Sequence, residues 1–298
     1  MIHDWLAEGV REGRRDAAWR RIWPLADFEF RALFRSRWGV ALFGLCLLPG
    51  LGRLVMLLIV FGVVNFGPAG LRTRLQNRAE IPGLDPWRVD FYLEPVLSVM
   101  PGLVFFLLLT SLVVARTIAR DRMANALELY WTRGISPLGY VAGKWLGGFL
   151  LVATVTMVVP LALWATAGLL AEDWTLFTDS AASMLLALLG LLLVTVVWTG
   201  MCLAISAIAS APNTAMVAWC MLLVGSSALG VVMANALREP WLRSCLSIWD
   251  AGAVVVRAVA GVPQRGVSVP GAVGTLSVTC TVLALIARSR LRLGEAVR

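Results

Sequence analysis

The stretch from Gly139 to Trp145 comes nearest to a recognised chemical motif, the glycine-rich loop that binds nucleotide phosphates. That loop has the spacing GxxxxGK[ST], in which the lysine contacts phosphate and the hydroxyl contacts magnesium. Here the Gly143-Lys144 pair follows Gly139 one residue too early, and Trp145 occupies the position of the hydroxyl. The sequence therefore predicts no phosphate site in this stretch, and we interpret Lys144 as an interfacial anchor.

Groups that could catalyse a reaction or carry protons are scarce in the apolar segments. Arg53 is the one ionisable residue well inside a predicted span, and His3 is the single histidine. One histidine cannot supply a catalytic dyad or a metal set, so we predict no catalytic residues and no metal site. A secondary carrier, which typically needs buried carboxylates, is a third hypothesis for the function. The residues that could line a substrate path are Arg53, Ser98, Thr110, Ser111, Thr199 and Ser206. The alternative role for the hydroxyl groups in this set is helix packing.

The longest uncharged run of the chain indicates that the candidate residues lie on membrane-spanning helices. Between Asp179 and Arg238, 58 consecutive residues carry no charge. At 1.5 Å per residue this run would make a helix of roughly 87 Å, nearly three times the ~30 Å hydrocarbon core of a bilayer. Residues 210–213, Ser-Ala-Pro-Asn, divide the run in two. With 59% hydrophobic and 15% charged residues, the sequence predicts an all-α, polytopic membrane protein.

Apolar runs between charges predict six transmembrane helices, each as long as spanning requires. They cover about 38–63, 95–117, 143–170, 181–208, 214–236 and 268–287. Residues 38–298 are predicted to form a single transmembrane domain, and residues 1–37 a cytoplasmic interfacial region. Pro49 to Arg53 interrupts the first apolar run, so residues 38–66 form either one kinked span, which we favour, or a re-entrant hairpin.

Arginine and lysine decide the predicted orientation, because both are enriched in cytoplasmic loops. An even number of spans places both termini on one side of the membrane. That side has 17 of the 26 Lys and Arg residues, against 8 on the other side and Arg53 within a span. We therefore predict that both termini are cytoplasmic. These loops also explain the net charge of +8, so no nucleic-acid partner is predicted.

An amphipathic helix is predicted in front of the first span. Its apolar residues recur with helical spacing and fall within roughly 120° of arc. They are Trp19, Ile22, Trp23, Ala26, Phe30, Leu33 and Phe34. Such a helix lies in the cytoplasmic membrane interface with its arginines near lipid phosphates, so membrane lipid is a predicted partner. It is either an anchor alone or an anchor that also docks another protein, and the predicted anchor residues are Trp19, Trp23, Arg31, Arg35 and Lys144.

The connection between the second and third spans, residues 115–137, is the largest predicted cytoplasmic loop. A simple turn would need only about four to six residues. This one combines charges at Arg120, Asp121 and Arg122 with Tyr130 and Trp131. Charged and aromatic side chains at a membrane edge are typical of a surface that receives another protein. The alternative is an extension of the second span into water, with its apolar residues packed underneath.

Residues 116–148 contain four short motifs in sequence. They are Asp121-Arg122, Asn125-Ala126-Leu127-Glu128-Leu129, Gly134-Ile135-Ser136-Pro137 and Gly143-Lys144-Trp145. This region resembles the signature of type-2 ABC transporter permeases, the membrane subunits of bacterial ABC exporters. In that family an acidic/basic pair precedes Gly-Thr-Leu-Glu-Leu, then Pro-(Ile/Val)-Ser-(Arg/Pro), and Gly-Lys opens the third helix. Asn125-Ala126 replaces Gly-Thr and Gly134 replaces the usual proline, whereas the Leu-Glu core is intact.

The resemblance implies a permease, not an enzyme, that lacks an ATPase of its own. The chain would bind no cofactor, because ATP and Mg²⁺ belong to a separate ATP-binding subunit. Its partners would be that subunit and a second permease, identical or homologous, in the bacterial cytoplasmic (inner) membrane. The implied function is ATP-driven export, and a non-transporting scaffold that transmits ATPase-driven signals is the runner-up. The residues implied in coupling to the ATPase are Arg120, Asp121, Arg122, Leu127, Glu128 and Leu129.

Overall fold

The computed structural model describes residues 22–63, 85–127, 130, 136–171, 174–262 and 264–296. Regular secondary structure in these ranges is helical throughout, and no strand occurs in them. Six of the helices are long and apolar enough to cross a membrane. The chain is therefore an all-α, multi-pass membrane protein, as its uncharged runs predict.

The described helices are numbered here in chain order. They are α1 (22–34), α2 (Arg37–Val60), α3 (Val89–Leu97), α4 (Val99–Met123), α5 (Pro137–Leu170), α6 (Thr175–Ile208), α7 (Pro212–Leu237), α8 (Trp241–Leu246), α9 (Ile248–Val259) and α10 (Val269–Ala296). The membrane-crossing helices are α2, α4, α5, α6, α7 and α10. We call the side of the bundle where α2 begins and α4 ends the N-terminal side.

Each predicted span corresponds to one of these long helices, with shifts at the ends. The first span is a single helix of 24 residues that continues through its proline, so the re-entrant hairpin is not formed. The second span is preceded by a separate helix, α3, because the backbone is not helical at Ser98 and Met100. The third begins at Pro137 and not at 143, since the Ser136 hydroxyl accepts a hydrogen bond from the Gly139 N–H and proline suits the first turn.

The centre of the bundle is α6, which packs against α5, α9 and α10. Trp198 of α6 stacks on Trp249 of α9 with 4.6 Å between ring centroids, and Phe106 of α4 lies 4.9 Å from Trp198. Glycine at position 252 makes this approach possible, because a Cβ there would lie 2.2 Å from the Trp198 ring. The Trp249 N–H donates to the Leu97 carbonyl oxygen at 3.2 Å. The short helix α9 is thus packed into the bundle from the side opposite the N-terminal side.

The periphery of the bundle is formed by α2, α7 and α10, which expose apolar side chains along their length. Examples are Val55, Val232 and Leu285. Apolar surface of this extent is stable in contact with lipid or with another subunit, because neither offers water to it.

Candidate functional site

Helix α1 lies across the first turns of α5, where two glycines let the helices approach closely. At Gly143 a Cβ would lie 2.8 Å from the Leu25 side chain. At Gly147 it would lie 2.7 Å from the Cβ of Glu29 and 2.8 Å from the carbonyl oxygen of Ala26. The Ala26 oxygen belongs to the backbone and cannot move aside, so glycine is required at position 147, and at position 143 a larger residue would displace the Leu25 side chain. This packing of α1 on α5 places the Glu29 carboxylate against the first turns of α5.

Three helices contribute to a buried group of charges that we call the ion cluster: Glu29 from α1, Asp121 from α4, and Tyr140 and Lys144 from α5. The Lys144 ammonium pairs with Glu29 and lies 2.6 Å from Asp121 Oδ2. The Tyr140 hydroxyl donates to the same oxygen at 2.8 Å. Lys144 is only 1% exposed and both carboxylate residues 7%. Because an unpaired charge in such a place is very unfavourable, the charges are stable only as a set.

The rim of the ion cluster holds a second cation and two aromatic rings. The Arg120 guanidinium lies 3.8 Å from Glu29, so two cations face two carboxylates. The Lys144 ammonium lies 5.8 Å from the ring centre of Tyr130 and 5.6 Å from that of Tyr140, within the range of cation–π attraction. Burial raises the pKa of the Tyr130 phenol, and the opposing field of Lys144 only partly offsets that rise. Among the described residues, no group of three or more His, Cys, Asp or Glu side chains could hold a metal ion.

The end of α4 is joined to the end of α6 by hydrogen bonds that run in both directions. The hydroxyl oxygen of Ser206, on α6, accepts from the backbone N–H groups of residues 118 and 119 at 3.0 and 3.2 Å. In return the Arg122 guanidinium donates to the carbonyl oxygens of Ala209 at 3.1 Å and Ala207 at 2.5 Å. The guanidinium also stabilises the negative end of the α6 dipole. The two helix ends therefore cannot separate without leaving backbone groups unpaired.

Beyond these contacts the chain presents an exposed patch on the N-terminal side, which we call the connection surface: Arg120, Met123, Ala124 and Asn125. Met123 is 63% exposed although it is apolar. Asn125 ends the helix in the left-handed conformation, with φ of 51°. The connection surface thus combines a cation with an exposed apolar side chain directly above the ion cluster.

The predicted coupling residues are divided between this surface and the interior. Arg120 is exposed, whereas Asp121 belongs to the ion cluster and Arg122 bonds to the end of α6. Leu127 is half-buried and packs against an apolar cluster that includes Tyr140 of α5 and Leu203 of α6. Glu128 and Leu129 lie outside the described residues. Asp121 and Arg122 were predicted to face a partner, but they fix the position of this segment through contacts inside the bundle.

The hydroxyl groups predicted to line a substrate path are engaged inside the bundle. The Thr110 oxygen accepts from the Trp219 indole N–H at 2.8 Å and donates to the Phe106 carbonyl oxygen at 2.8 Å. The others bond to backbone groups of their own or a neighbouring helix: Ser98, Ser111, Thr199 and Ser206. Each hydroxyl therefore has a packing or capping role within a single copy of the chain.

Arg53, the charged residue of the predicted path, lies seven residues before the end of α2, towards the side opposite the N-terminal side. Its guanidinium lies 5.1 Å from the ring centre of Phe91 and interacts with the carboxylates of Glu94 and Asp90. Both carboxylates also pair with Arg257 of α9, at 2.9 and 2.8 Å. These charges tie α2, α3 and α9 together. They place Arg53 near the end of its span, beside counter-charges that the sequence did not reveal.

The predicted anchor residues on α1 lie at its outer surface. Trp23 is largely exposed. Arg31 pairs with a carboxylate one turn earlier on α1 at 2.7 Å. Arg35, which follows the end of α1, lies over the ring of Phe28 at 5.4 Å. Trp19 lies outside the described residues. The face that α1 presents away from α5 is thus aromatic and basic, which suits a membrane interface.

Lys144 differs from its predicted role, because the structure places it inside the ion cluster and not at the lipid surface. The residues that explain the difference, Glu29 and Tyr140, were not identified from the sequence. The pair Gly143 and Gly147 was the available signal. Small residues four apart on a membrane helix indicate that another helix packs closely there.

The N-terminal side is thus built by α1, α4, α5 and α6, joined by buried ion pairs and by caps that link separate helices. The connection surface is one exposed part of it, and the outer face of α1 is another. No family model matches the chain, and no curated protein matches it either.

Proposed function

We propose that this chain is the membrane-spanning permease subunit of an ATP-driven ABC exporter, and that a separate ATP-binding subunit contacts the connection surface from the cytoplasm. The observation that carries the proposal is the linkage beneath that surface, where the ion cluster and Arg122 join α1, α4, α5 and α6. The motifs at 121–144 supply the class of partner, because they resemble the type-2 permease signature.

The ion cluster and the hydrogen bonds of Arg122 support a mechanical role for the segment that connects α4 to α5. Neighbouring residues of one helical turn make the two ties: Asp121 to Lys144 on α5, and Arg122 to the carbonyl groups at the end of α6. Moving α4 alone would leave buried charges and carbonyl groups unpaired, which is costly. A displacement imposed at the connection surface would therefore move α4, α5 and α6 together as a rigid body.

The place of transport in this proposal is the interface with a second permease. The hydroxyl groups predicted to line a path are occupied by hydrogen bonds within one bundle, as Thr110 and Trp219 illustrate. The exposed apolar faces of α2 and α7 are free to meet another subunit or the cargo. An amphipathic or lipid-linked cargo fits such faces better than an inorganic ion does.

A second candidate function is a membrane scaffold that transmits ATPase-driven movement without carrying cargo. The internal engagement of the hydroxyl groups favours it, because a scaffold needs no polar path. Liposomes that contain the chain and its ATP-binding subunit separate the two functions. Cargo-stimulated ATP hydrolysis is expected of the exporter, and hydrolysis insensitive to every candidate cargo is expected of the scaffold.

The association itself is tested by expressing the chain with its proposed ATP-binding subunit and purifying the pair through a tag on this chain. The wild-type chain should retain the subunit. The double variant Arg120→Glu/Met123→Asp should weaken binding by about tenfold or more, because it reverses a charge and introduces a second one on the connection surface.

The matched control is Arg265→Glu, a charge reversal at an exposed position on the opposite side of the bundle. It should bind the subunit like the wild type. All proteins are first compared for membrane insertion and thermal stability. Equal retention by Arg120→Glu/Met123→Asp, or no retention by the wild type, would refute the proposed contact.

A further inference from the structure

A groove of about 630 Å³ opens on the N-terminal side between α1, the first turns of α2 and the last turns of α4. Its walls are apolar and include Leu42, Leu45, Leu112 and Val113. Its volume lies in the range of sites that bind small molecules. Because these leucines and the valine belong to membrane-crossing helices, the groove extends from the end of the bundle into the apolar part of one leaflet.

The mouth of the groove is basic. Arg116 and Arg120 lie one and two turns beyond the apolar wall formed by Leu112, and both line the opening. Arg116 is half-buried and forms no ion pair with any described residue. Glu29 also reaches the groove, but the two carboxylates of the ion cluster are balanced by Lys144 and Arg120, so Arg116 adds a positive charge beyond that balance. The opening therefore offers a net positive charge to an occupant.

The surroundings of the mouth match a membrane interface. Trp38, at the start of α2, lines the groove and is 86% exposed. Tryptophan is enriched where hydrocarbon meets headgroups, because its ring is apolar and its N–H is polar. The groove thus has the layers of a lipid monolayer in order: cations, an interfacial aromatic ring, then aliphatic walls.

We propose that this groove binds an anionic phospholipid, with the phosphate between Arg116 and Arg120 and an acyl chain along Leu42, Leu45 and Leu112. A phosphate recruits arginine pairs by charge-assisted hydrogen bonds, and an acyl chain is what aliphatic walls bury. An apolar helix of a second copy would fill the apolar part but would bring no counter-charge to Arg116, and Arg120 would keep only the Glu29 carboxylate at 3.8 Å. The site stabilises the docking of α1 whether or not the chain transports a cargo, so it does not depend on the proposed function.

Native mass spectrometry of the full-length protein in detergent tests the headgroup contact. Phosphatidylglycerol and phosphatidylcholine with identical acyl chains are titrated separately. The wild type should prefer phosphatidylglycerol, with about a fivefold contribution from each arginine. Arg116→Gln/Arg120→Gln should bind the two lipids equally. Arg238→Gln/Arg265→Gln, which removes two exposed charges from the opposite side, should keep the preference.

Two further measurements test the acyl-chain contact. Ala41→Trp, which fills the groove at an exposed wall position, should reduce binding of both lipids. Phosphatidylglycerol with a photoactivatable acyl chain should label the wild-type protein at residues 42–45 and 112–113, an experiment that needs no variant. Glycerol phosphate at the same concentration should not displace the lipid, because it lacks the acyl chain.

The proposal is overturned by any of four results. These are equal binding of the two lipids by the wild type, an unchanged preference in Arg116→Gln/Arg120→Gln, displacement of the lipid by glycerol phosphate, and photolabelling that avoids the groove. Cross-linking of residues 42–45 to a second copy of the chain would assign the groove to a subunit interface instead.

Discussion

The ammonium group of Lys144 lies 2.6 Å from the carboxylate of Asp121, and both side chains are almost completely buried. Burial of a charge costs free energy unless a partner compensates it, so this pair is stable only while α4 and α5 stay packed. Glu29 extends the same dependence to α1. The packing of three helices on the N-terminal side is therefore tied to one lysine.

Replacing Lys144 with methionine should destabilise the protein by about 3–5 kcal/mol, because buried Asp121 loses its cation and Glu29 keeps only the more distant Arg120, while the volume is nearly kept. Thermal unfolding in detergent, followed by tryptophan fluorescence, measures the change. Arg238→Met, at an exposed site on the opposite side, should change the stability by no more than about 0.5 kcal/mol. If Lys144→Met unfolds at the wild-type temperature, the ion cluster contributes nothing to stability.

The pairing of Lys144 with Glu29 should appear as a coupling between substitutions. The double variant Glu29→Gln/Lys144→Met should lose less stability than the two single losses combined, by about 1 kcal/mol or more. The same unfolding assay on the four proteins of the cycle gives this difference. Strict additivity would mean that the two side chains do not interact.

Gly147→Val should release α1 from α5, since the new Cβ would meet the Glu29 side chain at 2.7 Å and the Ala26 carbonyl oxygen at 2.8 Å. Hydrogen exchange of residues 22–34, followed by mass spectrometry, should become faster. Gly44→Val is the matched control, because nothing lies within 4 Å of a Cβ at that position. Unchanged exchange in Gly147→Val would show that α1 does not need this contact.

Ser206→Ala should loosen the end of α4, because the N–H groups of residues 118 and 119 lose their acceptor. The expected cost is about 1–2 kcal/mol, as for the loss of a helix cap. Residues 117–123 should exchange hydrogen faster in the variant. Ser289→Ala removes a hydroxyl that bonds only within its own helix, and it should leave this segment unaffected. Equal exchange in the two variants would rule out the capping role.

The predicted orientation is open to a labelling test. In a variant without the five native cysteines, Met123→Cys lies on the N-terminal side and Trp174→Cys on the opposite side, and both positions are well exposed. A membrane-impermeant maleimide added to whole cells should label position 174, and position 123 only after permeabilisation. The reverse pattern would invert the topology and place the connection surface outside the cell.

The spans were predictable because hydrocarbon imposes a simple requirement on sequence. A helix that crosses it needs a long run without charge, and the run from 180 to 237 with one proline-containing break predicts α6 and α7 closely. The ends were less accurate. A cap such as Ser136 starts α5 well before its uncharged part, and hydropathy does not detect a cap.

The ion cluster was not predictable in the same way, because its members are distant in the sequence. Glu29 and Lys144 are 115 residues apart, and each alone resembles an ordinary interfacial charge. Only the packing of α1 on the glycines of α5 brings them together. Likewise Asp121 and Arg122 carry the charges expected of a partner surface, but they pair with Lys144 of α5 and with carbonyl groups at the end of α6. Arg120, one position earlier, is the residue left facing outwards.

In the proposed function, the connection surface transmits force from a separate ATP-binding subunit. The decisive measurement is ATP hydrolysis by the purified chain alone and after reconstitution with that subunit in liposomes. We expect no hydrolysis by the chain alone, hydrolysis by the wild-type complex, and a loss in Arg120→Glu/Met123→Asp that Arg265→Glu does not share. Hydrolysis by the chain unaided, or equal rates in the wild-type complex and in Arg120→Glu/Met123→Asp, would contradict the proposed function.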